Sequence, residues 1–269
     1  MTSRVTAVLA LVAVVAIGPL ALSSSARLRA ASRSAPAASD LPLEPAASTI
    51  ADAARALGST GAAPRRHPPR RFFRVAHVRR AAALRSGPRG RVLARVGGRT
   101  EFGSPVVLGV AGRRGRWLGV VAAGLPNGKL GWVRRDDSSL NVARTRYALH
   151  ADLSARRLEL RRSGRRIARF PVAVGRRGSA TPTGRFAITD KLPGSRFGPY
   201  YGCCILALSG HQPNTPPGWR GGDRLAIHGK NGPGGIGQAS SAGCLRASDR
   251  ALRVLMRRVP QGTPVFIRP

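Results

Sequence analysis

The sequence predicts a mostly β protein, a small β-barrel followed by a larger β-sandwich or barrel that carries one helix near its C-terminal side. Three observations lead there. Gly (33 of 269 residues) and Pro (21) are abundant and aromatics are only 5%, which favours short strands and turns over long helices. From Phe72 onward, short apolar runs are punctuated by Gly, Pro and Asn. Helical periodicity is convincing in a single segment, beginning at Ser248. With 42% apolar residues the chain is not a wholly disordered basic polymer, and its length allows one or two domains with real cores.

Residues 1–26 read as an export signal. Arg4 is the only charge before Arg27, and Val5–Leu22 is apolar apart from Thr6, with a break at Gly18-Pro19. Ser24-Ser25-Ala26 then offers small residues at the positions a signal peptidase reads. The strongest stretch, Ala7–Ile17, is shorter than the ~20 apolar residues of a bilayer span, so a cleaved signal is expected ahead of a retained membrane anchor. No Cys follows the apolar run, which excludes a lipoprotein anchor. Residues 27–71, rich in Ala, Pro, Ser and Arg and closed by Pro64, Pro68 and Pro69, read as a flexible linker. The expected location is the cell wall or the outer side of the cytoplasmic membrane.

Charge narrows the partners. Lys and Arg number 46 against 11 Asp and Glu, a formal +35, and only Lys129, Lys191 and Lys230 are lysines. The excess is +5 over residues 1–70, +12 over 71–137 and +18 over 138–269, so it is no detachable tail. A body so basic seeks polyanions. Export makes these anionic cell-wall polymers or a membrane surface. Nucleic acid is not expected, since no nucleic-acid fold, aromatic platform or basic helix is present.

Residues 72–137 contain five short strand-like runs: Val75–Val78, Arg91–Val96, Val106–Val110, Trp117–Val121 and Gly131–Val133. Gly97-Gly98, Gly112, Gly115 and Pro126-Asn127-Gly128 separate them, which suits a small barrel. The stretch from Trp117-Leu118-Gly119-Val120-Val121 to Gly131-Trp132-Val133 resembles the end of bacterial SH3-like domains, which implies binding or spacing at the wall. His77, the only histidine here, has no Cys or acid partner nearby, so the segment carries no catalytic constellation.

Residues 145–269 carry the chemistry. Tyr147–Asp152 and Arg157–Arg162 flank the turn Leu153-Ser154-Ala155 as a hairpin, with Leu158 and Leu160 facing inward between arginines. Ile167–Val174, Arg185–Thr189, Ile205–Leu208, Leu225–Ile227 and Val265–Ile267 supply further strands. The helix begins with Ser248 as N-cap and Asp249 in the first turn; Leu252, Leu255, Met256 and Val259 share one face. Arg257 and Arg258 complement its dipole, and Pro260 and Gly262 end it.

Three cysteines, Cys203, Cys204 and Cys244, leave at least one free thiol. Adjacent cysteines close only a strained ring, so a Cys203–Cys204 disulfide is open to the chain but disfavoured, and both are expected as ordinary buried strand residues. No Cys-x-x-Cys or paired histidines offer zinc spacing, and no metal or other cofactor is expected. Cys244 lies shortly before the capped helix and close to Arg246, surroundings that should lower a thiol pKa. Gly243 permits a tight turn whose N–H groups could face an oxyanion. His228, at the end of the Leu225–Ile227 strand, is the candidate base.

The run Ile227-His228-Gly229-Lys230-Asn231, then Ile236-Gly237, then Ser241-Ala242-Gly243-Cys244-Leu245-Arg246 resembles the signature of L,D-transpeptidases. Val174-Gly175 followed by Thr181-Pro182-Thr183-Gly184-Arg185-Phe186 is similar to the family's upstream segment. The resemblance covers about residues 145–267 and implies a β-sandwich enzyme of peptidoglycan. It implies Cys244 as nucleophile on the L-centre of diaminopimelate at stem position 3. D-alanine would leave, and the acyl group would pass to an amine to form a 3→3 cross-link. His228 becomes general base and acid, and Gly243 with Cys244 the oxyanion hole. Arg246 would meet a substrate carboxylate or a structural acid, and Ser241 would brace the loop. Gly229, Tyr201 and His211 complete the candidate substrate contacts, in a groove shaped by the loops Phe197–Gly202 and Pro213–Gly222. Peptidoglycan stem peptides are the implied substrates, and carbapenem-type inhibitors are expected to acylate the thiol. Many members have His where this chain has Ala242. Water as acceptor would make an L,D-carboxypeptidase, and a lipoprotein amine would make an attachment enzyme. A non-catalytic wall-binding protein is the competing class, and retention of both His228 and Cys244 argues against it. The motif order disfavours a sortase-like enzyme.

Overall fold

A computed structural model describes residues 72–230, Gly232 and residues 234–269, so the export signal and linker read from residues 1–71 lie outside the described residues. The first sheet is built from β1 (Phe73–Val78), β2 (Ala81–Arg85), β3 (Val92–Gly97), β4 (Val107–Arg114), β5 (Trp117–Val121), β6 (Gly131–Arg134) and β7 (Leu140–Thr145). Its spatial order is β3-β2-β6-β5-β4-β1-β7, antiparallel throughout. Two strands go beyond the five that the apolar runs marked. β2 is alanine-rich and has low intrinsic strand preference, yet Ala82 and Leu84 alternate into the core. β7 follows the acidic turn after β6 and pairs along the full length of β1, from Phe73↔Thr145 to Val78↔Leu140. Ala76, Val78, Leu84, Leu108, Leu118, Val120 and Val133 form this sheet's own core.

The rest of the chain contains β8 (Tyr147–Asp152), β9 (Arg157–Arg162), β10 (Arg165–Pro171), β11 (Val174–Gly175), β12 (Gly184–Pro193), β13 (Cys204–His211), β14 (Arg224–His228), β15 (Ala239–Ser241), β16 (Leu245–Arg246), α1 (Asp249–Arg258) and β17 (Pro264–Arg268). Eight of these strands form one mixed sheet in the order β10-β9-β8-β17-β12-β13-β14-β16, while β11 and β15 pair separately. The β8–β9 hairpin forms with Leu149 opposite Leu160 and Ala151 opposite Leu158, all four buried. Short 3₁₀ turns at Gly194–Phe197 and Pro199–Tyr201 lead from β12 to β13.

The one α-helix among the described residues forms where its caps and apolar stripe require it. Ser248 Oγ accepts the Ala251 N–H, Asp249 lies in the first turn, and Arg257 and Arg258 lie in the last. Leu252, Leu255 and Val259 are fully buried and share one core with Leu206, Leu208 and Ile227 of β13 and β14. Among the described residues no helix is long and apolar enough to cross a membrane.

The two sheets belong to one compact unit. Glycine lets their backbones meet: a Cβ on Gly109 of β4 would stand 2.7 Å from the Ala187 Cβ of β12. Gly262, at φ 75°, presents its Cα to Val75 and Val107 in the same way. Arg185 reaches across from β12 and donates to the carbonyls of Val110 and Ala111.

Candidate active site

Cys244 and His228 reach one recess from neighbouring strands. β14 and β16 run parallel, with Ile227 opposite Leu245 and His228 opposite Arg246. Side chains alternate along a strand, so Ala226, His228, Cys244 and Arg246 fall on one face. Tyr200, Tyr201, Trp219, Arg224 and Ala242 line the recess with His228 and Cys244.

His228 is 1% exposed, and its Nδ1 lies 2.6 Å from the Gly229 carbonyl oxygen. A carbonyl only accepts, so Nδ1 holds the proton and donates it, which leaves the Nε2 lone pair free. Burial pushes the ring's pKa down to about 4, and the Arg246 charge acts in the same direction. The imidazole is therefore neutral at neutral pH. Tyr200 and Tyr201 flank it, with ring centroids 5.6 and 5.0 Å away.

The thiol departs from expectation. Burial raises the Cys244 pKa, and the opposing effects of a backbone hydrogen bond and the Arg246 charge do not outweigh it. The helix start gives no help, because α1 begins at Asp249 and is already capped by Ser248. The Cys244 Sγ lies 3.9 Å from the Arg224 carbonyl oxygen. The resting pair is thus a neutral thiol beside a neutral imidazole, and sulfur can attack only as its proton leaves.

Around the thiol the loop is tied tightly. Ser241 Oγ donates to the Cys244 carbonyl (2.6 Å) and accepts the Gly243 N–H (3.0 Å). That second bond corrects the oxyanion-hole reading of Gly243, since its donor is occupied by a hydroxyl positioned two residues away. The Cys244 N–H has no partner among the described residues and is the donor left for an oxyanion. Gly243 itself is required by close approach: at φ 121°, a Cβ there would stand 1.9 Å from Gln212 Nε2. Gln212 is buried and donates to the Ala180 and Ala242 carbonyls at 3.0 and 3.1 Å.

Arg246 donates from Nη2 to the Ser240 carbonyl (2.8 Å) and its guanidinium sits 5.3 Å from the Tyr200 ring centroid. No structural acid pairs with it among the described residues, and its Nε is buried without a partner. A guanidinium on the thiol's face of the sheet thus keeps hydrogen-bonding capacity that no acid among the described residues takes up.

Three expectations need correction. Gly229 is not open to a substrate: its N–H donates to the Cys204 carbonyl (3.0 Å), and the Asp249 carboxylate fills the space a Cβ would take. His211 faces the first sheet instead of the recess. Its Nε2 lies 2.6 Å from the Ala123 carbonyl oxygen, its Nδ1 3.0 Å from Asp223 Oδ2, and its backbone exchanges two hydrogen bonds with the Asn127 side chain. Cys203 and Cys204 are joined as a disulfide. Cys203 sits in a turn and only Cys204 is in β13, so the strand alternation that would send adjacent side chains to opposite faces does not hold there. The Cys203 N–H is held by Asp249 Oδ2 at 3.1 Å.

Gln212, Arg224 and Asp249 shape the site without any sequence pattern that marks them for it. Each acts through a contact with a residue 20 or more positions distant.

The thiol, the imidazole with its free Nε2 and the unpaired guanidinium define a cysteine acyl-transfer type of site on a mostly β scaffold. Residues 146–267 match the YkuD family model, the L,D-transpeptidase catalytic domain. The chain therefore contains an L,D-transpeptidase catalytic domain. YkuD of Bacillus licheniformis is 35% identical over 125 residues, covering 46% of this chain and 66% of that protein. YkuD of Bacillus subtilis strain 168 is 34% identical over 123 residues, covering 45% and 65%. The chain thus spans just under two thirds of these relatives' lengths. Among solved structures, an L,D-transpeptidase from Mycobacterium smegmatis aligns with a TM-score of 0.36 at 19% identity, covering 52% of this chain and 73% of the other.

Proposed function

We propose that this protein is an exported peptidoglycan L,D-transpeptidase in which Cys244 is the nucleophile and His228 the proton carrier. The observation that carries the reading is the placement of a free thiol and a neutral imidazole, with Nε2 unoccupied, on one face of adjacent strands. Sulfur attacks the carbonyl at the L-centre of diaminopimelate in stem position 3 while Nε2 takes the thiol proton. The tetrahedral oxyanion accepts the Cys244 N–H. Collapse breaks the amide bond, the imidazolium returns the proton to the departing D-alanine amine, and a thioester remains. An amine of a neighbouring stem then attacks the thioester, its proton passes through His228, and the thiol is regenerated with a 3→3 cross-link formed. Arg246 holds a substrate carboxylate. Tyr201, with Tyr200 and Trp219, walls the groove.

The test is an intact-mass measurement after incubation with a carbapenem, whose strained carbonyl reports on a competent thiol. One covalent adduct is expected in the native protein and none in Cys244→Ala. No adduct, together with a Cys244 inert to alkylating agents, would sink the catalytic reading.

A further inference from the structure

The loop between β3 and β4, residues 98–106, belongs to the first sheet but ends against the active site. It is internally braced: Thr100 N–H donates to the Ser104 carbonyl (2.8 Å), Val106 N–H to Gly98 (3.0 Å), and Thr100 Oγ1 accepts from Phe102 and Ser104 N–H groups. Three consecutive residues then cross to the second sheet. Thr100 Oγ1 donates to Asp190 Oδ1 at 2.5 Å, and Asp190 is fully buried. Glu101 pairs with Arg224 Nη1. Phe102 lies beneath the Arg224 guanidinium (5.8 Å) and edge-on to Phe197 (5.8 Å).

The Glu101 and Phe102 crossings lead to groups at the reacting centre. The Arg224 side chain is only 16% exposed and also donates to the Leu208 carbonyl (2.7 Å) and Thr189 Oγ1 (2.9 Å), so its position on β14 is fixed. Its own carbonyl is the one that faces the Cys244 thiol. Phe197 continues to Tyr201 (6.2 Å), and Tyr201 to the His228 ring (5.0 Å). Phe102, Tyr201 and Cys244 pack on the same small cluster of Leu192, Ile205 and Ala226.

We infer that Glu101 and Phe102 are positioning residues of the active site, through which the first sheet holds the aromatic wall and the Arg224 strand against Cys244. The inference rests on the transpeptidase reading for its catalytic consequence but not for its mechanical one. A mere wall-binding module or spacer would need no such contacts.

Two rates measured on the full chain decide it: alkylation of Cys244 by iodoacetamide and acylation by a carbapenem. Loosening the wall admits more water and more of a small alkylator to a half-buried thiol while spoiling the geometry of acyl transfer. The two rates should therefore move in opposite directions. In Phe102→Ala and Glu101→Gln, alkylation should rise about threefold and acylation should fall about tenfold. Phe102→Leu and Glu101→Asp should restore both toward the native values. Both rates within about twofold of native in Phe102→Ala and Glu101→Gln would overturn the inference, whereas a purely structural role would lower the melting temperature without the opposed shifts. Should Phe102→Ala not fold, Glu101→Gln, half exposed at its side chain, decides alone. A native protein that carbapenem never acylates would remove the transpeptidase reading, and the alkylation rates would still decide whether the loop positions the thiol.

Discussion

His228 and Cys244 divide the chemistry of the site according to what burial does to each. The ring loses its charge and keeps a lone pair on Nε2; the thiol keeps its proton until attack. Because the ring's folded pKa is depressed to about 4, protonation that would disable the proposed base occurs well below the usual histidine range. The acylation rate should therefore be flat from about pH 5.5 to 7 and fall on an acidic limb near pH 4; a limb at about 6.5 would show an exposed, unperturbed imidazole. His228→Ala should slow acylation by ~10²-fold or more at neutral pH, read as carbapenem adduct formed per unit time. Both residues were legible in the sequence because a strand-end His-Gly and a Ser-x-Gly-Cys-x-Arg run are local patterns. Gln212 was not, since its role is to fill the space left by Gly243, thirty-one positions away. The direction of the Cys244 shift was also out of reach, because depth of burial is a property of everything packed above the residue.

At the level of elements, α1 was read almost to the residue. Its cap, its charged ends and its apolar stripe are all written within one short segment, and local propensity and tertiary packing agree there. Ser248→Ala should cost about 1 kcal/mol, measured as a lower urea midpoint with unchanged slope, because the Ala251 N–H loses its acceptor. The strands divide differently. The β8–β9 hairpin was legible because it alternates leucine with arginine. β2 was hidden by its alanines, and β15 and β16 by their length of three and two residues. Strands that short exist only because a partner supplies the hydrogen bonds: β16 is defined by pairing with β14, which is what sets Cys244 beside His228's strand. The proposed catalytic juxtaposition therefore depends on one of the least legible strands among the described residues.

For the molecule as a whole, the charge and the packing bear on function together. Most of the +35 belongs to the two folded segments, and among the described residues the acids are largely engaged by arginines, as Glu159 is by Arg161, Arg166 and Arg169. The remaining guanidiniums suit retention on an anionic wall. Purified protein should co-sediment with cell walls at low ionic strength and be released toward ~1 M salt, where the Debye length falls to about 3 Å; binding indifferent to salt would assign retention to some other contact. The mostly β class, the helix with its caps, the excess of arginine and the proposed nucleophile and base were all readable from the order of amino acids. Those are carried by composition, by period and by residues close together along the chain. Folding in three dimensions was needed to bring the first sheet to the active site through Glu101 and Phe102, to join Cys203 to Cys204, to turn His211 away from the recess and to hold the thiol protonated. Each of these depends on which atoms lie across a gap between distant segments, and on how far water is excluded from it.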